Sequence, residues 1–227
     1  MAVVSPSVRR AALVVTALAA VVPLAACSGG PDLHPGDAAV VNGHAIRIST
    51  VDAFADDFCA LEKPGLAQQG AVLPMALLRS AAAESLVSDA LLAAFAKEAR
   101  IDLAEVHRGV RQQLRTSLVD VPADLQGAAQ KRFQLEGERR AVLELAGRQG
   151  ATSQQQAMAQ GAQLFNAWRA QQHVTIDPRF GRVDLDALKW DGANGSLSVP
   201  AGKTPDALDQ KAAAALPADQ RCGTPAS

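Results

Sequence analysis

The sequence predicts a mainly α-helical fold: a bundle of about five helices with a small antiparallel sheet formed by an N-terminal hairpin and a returning C-terminal strand. Three observations predict it. Apolar side chains recur at three- and four-residue intervals through most of residues 49–170, which is typical of helices that bury one face. Asn42-Gly43 separates two short β-prone runs, the strongest local signal for a hairpin. The period changes to two at residues 173–176, which predicts one further strand.

The hairpin and the late strand are expected to form one sheet. A two-residue loop at Asn42-Gly43 places Val40 opposite Ala45. The run at residues 173–176 has no neighbouring strand close in sequence. Because a lone strand cannot satisfy its backbone groups, we expect it to pair with the hairpin at residues 39–48.

Each expected helix has an apolar stripe, and all but the second also have a boundary signal. The first helix has a capping region at Ser49–Asp52 and a stop at Lys63-Pro64-Gly65, and the second is expected from about Leu73 to Arg100. The third begins with Asp102 and Glu105, the fourth begins near Pro122, and the fifth begins with Ser153 and Gln156. The second helix has the widest apolar face and is expected to be central. For the fourth, the apolar face would include Phe133 and Leu145, and three internal glycines weaken the prediction that it is continuous.

The N-terminal residues predict an export signal. Arg9-Arg10 precede a short uncharged run from Ala11 to Val22, and small residues lead to Cys27. The run is too short for a stable membrane span. Ending at a cysteine, it resembles the lipobox of bacterial lipoproteins, which implies a signal peptide at residues 1–26 and a lipid on Cys27. A plain signal peptide with a chance cysteine is the alternative. The expected location is the cell membrane, lipid-anchored on its extracytoplasmic face, with residues 27–37 as a flexible tether.

Composition and charge exclude several classes of function. The chain carries 22 basic and 23 acidic residues, and without residues 1–26, which contain two arginines and no acid, it has 20 basic and 23 acidic residues, a net charge of about −3. No basic stripe is evident in the sequence, so nucleic acid is not an expected partner. The remaining chain is long enough for one domain with extensions.

The cysteines predict a disulfide. If Cys27 carries lipid, Cys59 and Cys222 remain, and two thiols in an oxidising compartment are expected to pair. Two unrelated free thiols are the alternative. The absence of a C-x-x-C motif gives a thioredoxin-like role no support.

The sequence contains no recognisable catalytic or metal-binding pattern. His34, His44, His107 and His173 lack ligand spacing, although His44 and His173 approach each other in the proposed sheet, which leaves a metal or pH role open. There is no nucleophile elbow and no phosphate-binding glycine loop. The close carboxylates are interpreted as solvated charges; they are Asp56-Asp57, Asp184 with Asp186, and Glu136 with Glu138. We therefore expect neither catalytic residues nor a cofactor.

The order of these features resembles a known family. The Val41-Asn42-Gly43 hairpin, the helices after it and the returning Asp177-Pro178-Arg179-Phe180-Gly181 resemble the SurA N-terminal-like chaperone domain over about residues 38–181. Lipid-anchored members of that group include the PrsA foldases. The resemblance implies a helical module that holds unfolded or newly exported polypeptides in an apolar groove. Those proteins carry a parvulin isomerase domain before the returning helix, whereas here only residues 148–152 connect the helices, so isomerase activity is not expected.

Three functions follow from this interpretation. The first is a chaperone-like protein that binds unfolded or exported polypeptides, and the alternative is an envelope subunit that binds one specific protein partner. An unusual isomerase is the enzymatic alternative. Residues 182–227 are rich in proline, glycine and alanine and are expected to form a loosely ordered tail. Its apolar residues could lay a short segment over the core; they are Val183, Leu185, Leu188 and Trp190.

Overall fold

The computed structural model describes residues 33–184, 189–191 and 209–225. In chain order, the elements are β1 (Asp37–Val41), β2 (His44–Arg47), α1 (Ile48–Gln69), β3 (Leu73–Pro74), α2 (Met75–Glu98), α3 (Leu103–Ser117), α4 (Gln126–Ala146), α5 (Gln154–Arg169), β4 (Val174–Ile176), β5 (Arg182–Asp184), β6 (Lys189–Asp191), α6 (Gln210–Ala214) and β7 (Arg221–Cys222). Short 3₁₀ turns occupy Pro178–Phe180 and Ala218–Gln220. The predicted fold class is confirmed: a mainly helical chain with a small antiparallel sheet.

The three-stranded sheet has β1 at its centre, in the order β2-β1-β4. Val40 pairs with Ala45 on one side, as the hairpin predicts, and with Thr175 on the other. Asn42 and Gly43 have φ values of 49° and 82°, the left-handed conformation that this tight turn requires. The late strand therefore pairs with the hairpin, as expected, and joins both ends of the helical region.

The predicted boundaries of α1 are wrong at both ends. The helix begins at Ile48, and Ser49–Asp52 lie inside it without capping its N-terminus. It also continues through Pro64, which removes one helical hydrogen bond but does not end the helix. The final turn is retained because Leu66 is buried in the core, and the helix ends at Gly70, whose φ of 61° allows the chain to turn away.

The N-caps of α3 and α5 are confirmed. The Asp102 carboxylate accepts hydrogen bonds from the backbone N–H groups of Ala104 and Glu105, and the Ser153 hydroxyl accepts one from Gln156. The third helix also shows a feature that the sequence interpretation missed, since three exposed arginines lie together along its outer face.

Helix α4 begins four residues later than expected and is continuous up to Gly147. Its predicted apolar face is partly wrong, because Phe133 and Leu145 are 40% and 38% exposed. The core-facing residues are smaller or differently placed; the buried ones include Ala128, Ala129, Val142 and Leu143.

Two glycines allow α4 and α5 to pack backbone against backbone. A Cβ atom on Gly161 would lie 1.8 Å from the carbonyl oxygen of Leu143, and one on Gly147 would lie 2.0 Å from that of Ala157. Neither distance is compatible with a side chain. The absence of these two Cβ atoms therefore sets the separation of the helices.

The expectation of a loosely ordered C-terminal tail is wrong for the described parts of residues 182–227. Strands β5 and β6 pair as a hairpin, with Val183 opposite Trp190, and β7 pairs with β3, with Leu73 opposite Cys222. Short-range composition could not reveal the pairing of β7 with β3, because the two strands lie far apart in the sequence. Leu185 and Leu188 lie outside the described residues.

We predict opposite effects of alanine at two helical glycines. Gly161→Ala should lower the free energy of unfolding by about 2 kcal/mol or more, because the new methyl group overlaps backbone and the helices must separate. Gly109→Ala is the control: a Cβ there meets nothing within 4 Å, so it should raise that free energy by up to about 1 kcal/mol. Urea unfolding followed by circular dichroism measures both, and equal changes would contradict the proposed close packing.

Candidate functional site

Helices α1, α2 and α4 form the walls of an apolar groove that is open to solvent. Its volume is about 530 Å³, within the usual range of binding sites. Most of its lining is hydrophobic; the apolar residues are Phe54, Phe58, Leu73, Leu77, Leu78, Ala81, Leu92 and Leu135.

Helical periodicity brings these side chains to a single surface. Phe54 and Phe58 are one turn apart on α1, with ring centroids separated by 4.8 Å. Leu77 and Ala81 are likewise one turn apart on α2, and Leu135 completes the lining from α4. In the sequence these residues form ordinary core stripes, so periodicity alone could not show that they border an open space.

Charged side chains of both signs line the rim of the groove. The guanidinium of Arg132 lies 2.6 Å from a Glu62 carboxylate oxygen and 5.3 Å from the centroid of the Phe58 ring. It thereby links α4 to α1 through an ion pair and a cation–π contact. Glu136 and Arg139 extend the charged rim along α4.

A group of ionisable residues lies near Asp89, which also lines the groove. Glu138 is only 7% exposed; one of its carboxylate oxygens lies 3.2 Å from Nε2 of His107, and the other accepts a hydrogen bond from Gln134. Burial raises the pKa of Asp89 above its ordinary value of 3.8, the negative charge of Glu138 raises it further, and His107 opposes the increase.

The interpretation of Glu136 and Glu138 as two solvated charges is therefore wrong for Glu138. Its side chain faces α3, where His107 belongs to the same helical stripe as the buried Val110 and Leu114. That stripe was the available sequence signal, since a histidine three residues before a buried valine is placed close to the core. The partner on α4 could not be identified without the fold.

The structure brings Cys59 and Cys222 together in a disulfide, with their Cα atoms 5.5 Å apart. Cys59 follows the groove residue Phe58, and Cys222 pairs with the groove residue Leu73. The described C-terminal segment is thus attached to two groove walls, to α1 by the disulfide and to β3 by strand pairing. The lining of the groove itself comes from residues 54–139. Cys27, the expected lipidation site, lies outside the described residues.

The remaining candidates do not form a recognisable site in the described part of the chain. His44 and His173 are both exposed; His44 begins β2, His173 precedes β4, and β1 lies between these two strands. Across the described ranges, no group of three or more histidine, cysteine or acidic residues is placed to hold a metal ion. Asp57 forms an ion pair with Lys131 at 2.7 Å, while Asp186 lies outside those ranges.

Among the helices that the structure describes, none is both long and apolar enough to cross a membrane. The chain matches no protein-family model, and comparison with curated proteins and with solved structures gives no match either. The function is therefore inferred from the groove and from the sequence features.

We predict that Asp89→Asn stabilises the protein at pH 7. Because folding raises the pKa of the Asp89 carboxyl group, ionisation of this group destabilises the native state. The native state has its full stability below the pKa that the group has in the unfolded chain, and it loses part of that stability as the pH rises through the pKa of the group in the folded protein. The variant should therefore be more stable than the wild type at pH 7, and the difference should shrink as the pH falls to about 4. Urea unfolding at several pH values measures this difference.

The matched control is Asp56→Asn, which changes an exposed carboxyl on α1. It should alter the free energy of unfolding little at any of these pH values. A difference between Asp89→Asn and wild type that is the same at pH 4 and pH 7 would show that ionisation of Asp89 is not its cause.

Proposed function

We propose that this chain is a lipid-anchored, extracytoplasmic chaperone-like protein that binds unfolded or newly exported polypeptides without isomerase activity. The observation that carries the proposal is the open apolar groove between α1, α2 and α4. Apolar contact is non-directional and scales with the area removed from water, so such a surface can accept many sequences. This is the property that a protein binding diverse unfolded chains needs.

The charged rim supports a polypeptide ligand. An unfolded chain presents apolar side chains together with polar backbone and charges of both signs. In the groove, Phe58 and Leu77 can contact the apolar side chains of a client. Glu62, Arg132 and Arg139 can contact its polar backbone and its charges. Because both signs are present at the rim, neither acidic nor basic clients are strongly excluded.

Export and anchoring are supported by the sequence and by the disulfide. The segment before Cys27 has the features of a lipoprotein signal. The tether predicted at residues 27–37 is shorter than expected, because Asp37 is buried in β1, and it would keep the groove near the membrane where exported chains emerge. The bond between Cys59 and Cys222 suits an oxidising compartment outside the cytoplasm.

We predict that a charge placed in the groove weakens client binding. The chain comprising residues 28–227 should slow the aggregation of several unrelated unfolded proteins at near-stoichiometric amounts, as measured by light scattering. Leu77→Glu should reduce this effect several-fold, because a client would have to bury an unpaired carboxylate. The control Leu164→Glu, at a site 52% exposed on α5, should retain it.

Two results would contradict the chaperone-like function. One is the absence of suppression by the unsubstituted chain with every client. The other is equal suppression by Leu77→Glu and Leu164→Glu, which would place client binding outside the groove. Recovery of one stoichiometric partner by crosslinking in cells, without general suppression, would favour the envelope-subunit alternative.

We also predict that Cys27 carries the anchor. In cells producing Cys27→Ser, the chain should leave the membrane fraction or remain unprocessed, and the mass of an acylated N-terminal peptide should disappear. Ser28→Ala, a change at the neighbouring residue, should leave both unchanged. A wild-type mature chain that lacks an acylated Cys27 by mass spectrometry would disprove lipidation.

A further inference from the structure

Helix α3 presents a stripe of arginines to solvent, hereafter the α3 arginine stripe: Arg108, Arg111 and Arg115. With Gln112 they surround a shallow depression of about 300 Å³. The opposite face of the helix is fixed against the core, because its apolar residues are buried; they are Val106, Val110 and Leu114. The orientation of the stripe is therefore set by packing.

The positive charge of the α3 arginine stripe is not neutralised by ion pairs with described residues. In the part of the chain that the structure describes, none of the three arginines forms an ion pair, whereas Arg47, Arg132 and Arg179 each lie within 2.7 Å of a carboxylate oxygen. The single acidic residue within α3 is Glu105, in the first turn. Three neighbouring cations without counter-ions form a local positive field on a chain that is acidic overall.

The stripe and the groove lie on different flanks of α4. Successive residues of an α-helix are roughly 100° apart, so Glu136 and Glu138 point in nearly opposite directions. Glu136 lines the groove, whereas Glu138 contacts His107 of α3. Gly137 also faces α3, since a Cβ there would lie 2.7 Å from Val110. The residues that surround the α3 arginine stripe therefore do not include any residue that lines the groove.

We propose that the α3 arginine stripe docks on an anionic phospholipid surface. Guanidinium groups form strong charge-assisted hydrogen bonds with phosphate oxygens, and a membrane offers many phosphates in one plane. Each arginine near an anionic bilayer increases binding by up to about fivefold. The proposed anchor would supply the location, while the docking itself is measured without lipid on the chain.

The test uses the chain comprising residues 28–227, which contains every described element and the disulfide. Its co-sedimentation is measured with vesicles of phosphatidylcholine alone and with vesicles containing phosphatidylglycerol, at low and high salt. We expect binding to the anionic vesicles only, weakened by salt because the contacts are exposed. The variant R108Q/R111Q/R115Q should bind at least tenfold more weakly than the unsubstituted chain.

The control variant K63Q/K97Q/R169Q removes the same charge from exposed positions on α1, α2 and α5. It should retain most of the vesicle binding, and circular dichroism should show that both variants are folded. Equal loss in the two variants would attribute binding to net charge and overturn the assignment to α3. Equal binding to zwitterionic vesicles, or tighter binding to duplex DNA than to anionic vesicles at the same salt, would also overturn it. None of these results bears on client binding by the groove.

Discussion

The antiparallel pairing of β1 with β4 is the constraint on which the rest of the structure depends. Strand β1 is buried along its whole length, so its N–H and C=O groups must find partners in the protein. The hairpin supplies partners on one side only, and β4, more than 130 residues later, supplies those on the other. Asp37, 1% exposed at the start of β1, is held by the backbone N–H of His34 and by Arg47 at 2.7 Å. Together these contacts return the chain to its starting point after five helices.

A second long-range connection, the disulfide together with the pairing of β7 and β3, holds two walls of the groove. The disulfide joins residues 163 positions apart, and in the chain-entropy model a loop of this size contributes up to about 5 kcal/mol. It ties β7 to α1 beside Phe58, and β7 pairs with β3 at the start of α2. The third wall, α4, is held to α1 differently, by the ion pairs Arg132–Glu62 and Lys131–Asp57. Partly exposed ion pairs contribute little, typically below about 1 kcal/mol, so α4 is held mainly by its packing, with Ala128, Ala129 and Val142 buried.

The elements set by local chemistry could be predicted from the sequence. Of the distant contacts, only the pairing of β4 with the hairpin and the Cys59–Cys222 disulfide could be predicted. Asn42-Gly43 determines its turn, and Asp102 and Ser153 cap their helices, because each acts on neighbouring residues. Pro64 misled the interpretation because burial of Leu66 sustains the final turn of α1. The pairing of β7 and the contact of Glu138 with His107 likewise depend on partners far away in the chain. The groove is the clearest case, since its apolar stripes are identical in kind to those of a closed core.

The packing of α4 explains how one helix can border both candidate surfaces. On one flank, Gly137 allows α3 to approach closely, which fixes the outward direction of its arginines. At the C-terminal end of α4, Gly147 and Gly161 bring α5 into backbone contact, and residues 148–152 form the short connection between the two helices. The remaining flank of α4 has no helix against it beyond α1 and α2, and the groove lies there because no further element among the described residues fills the space.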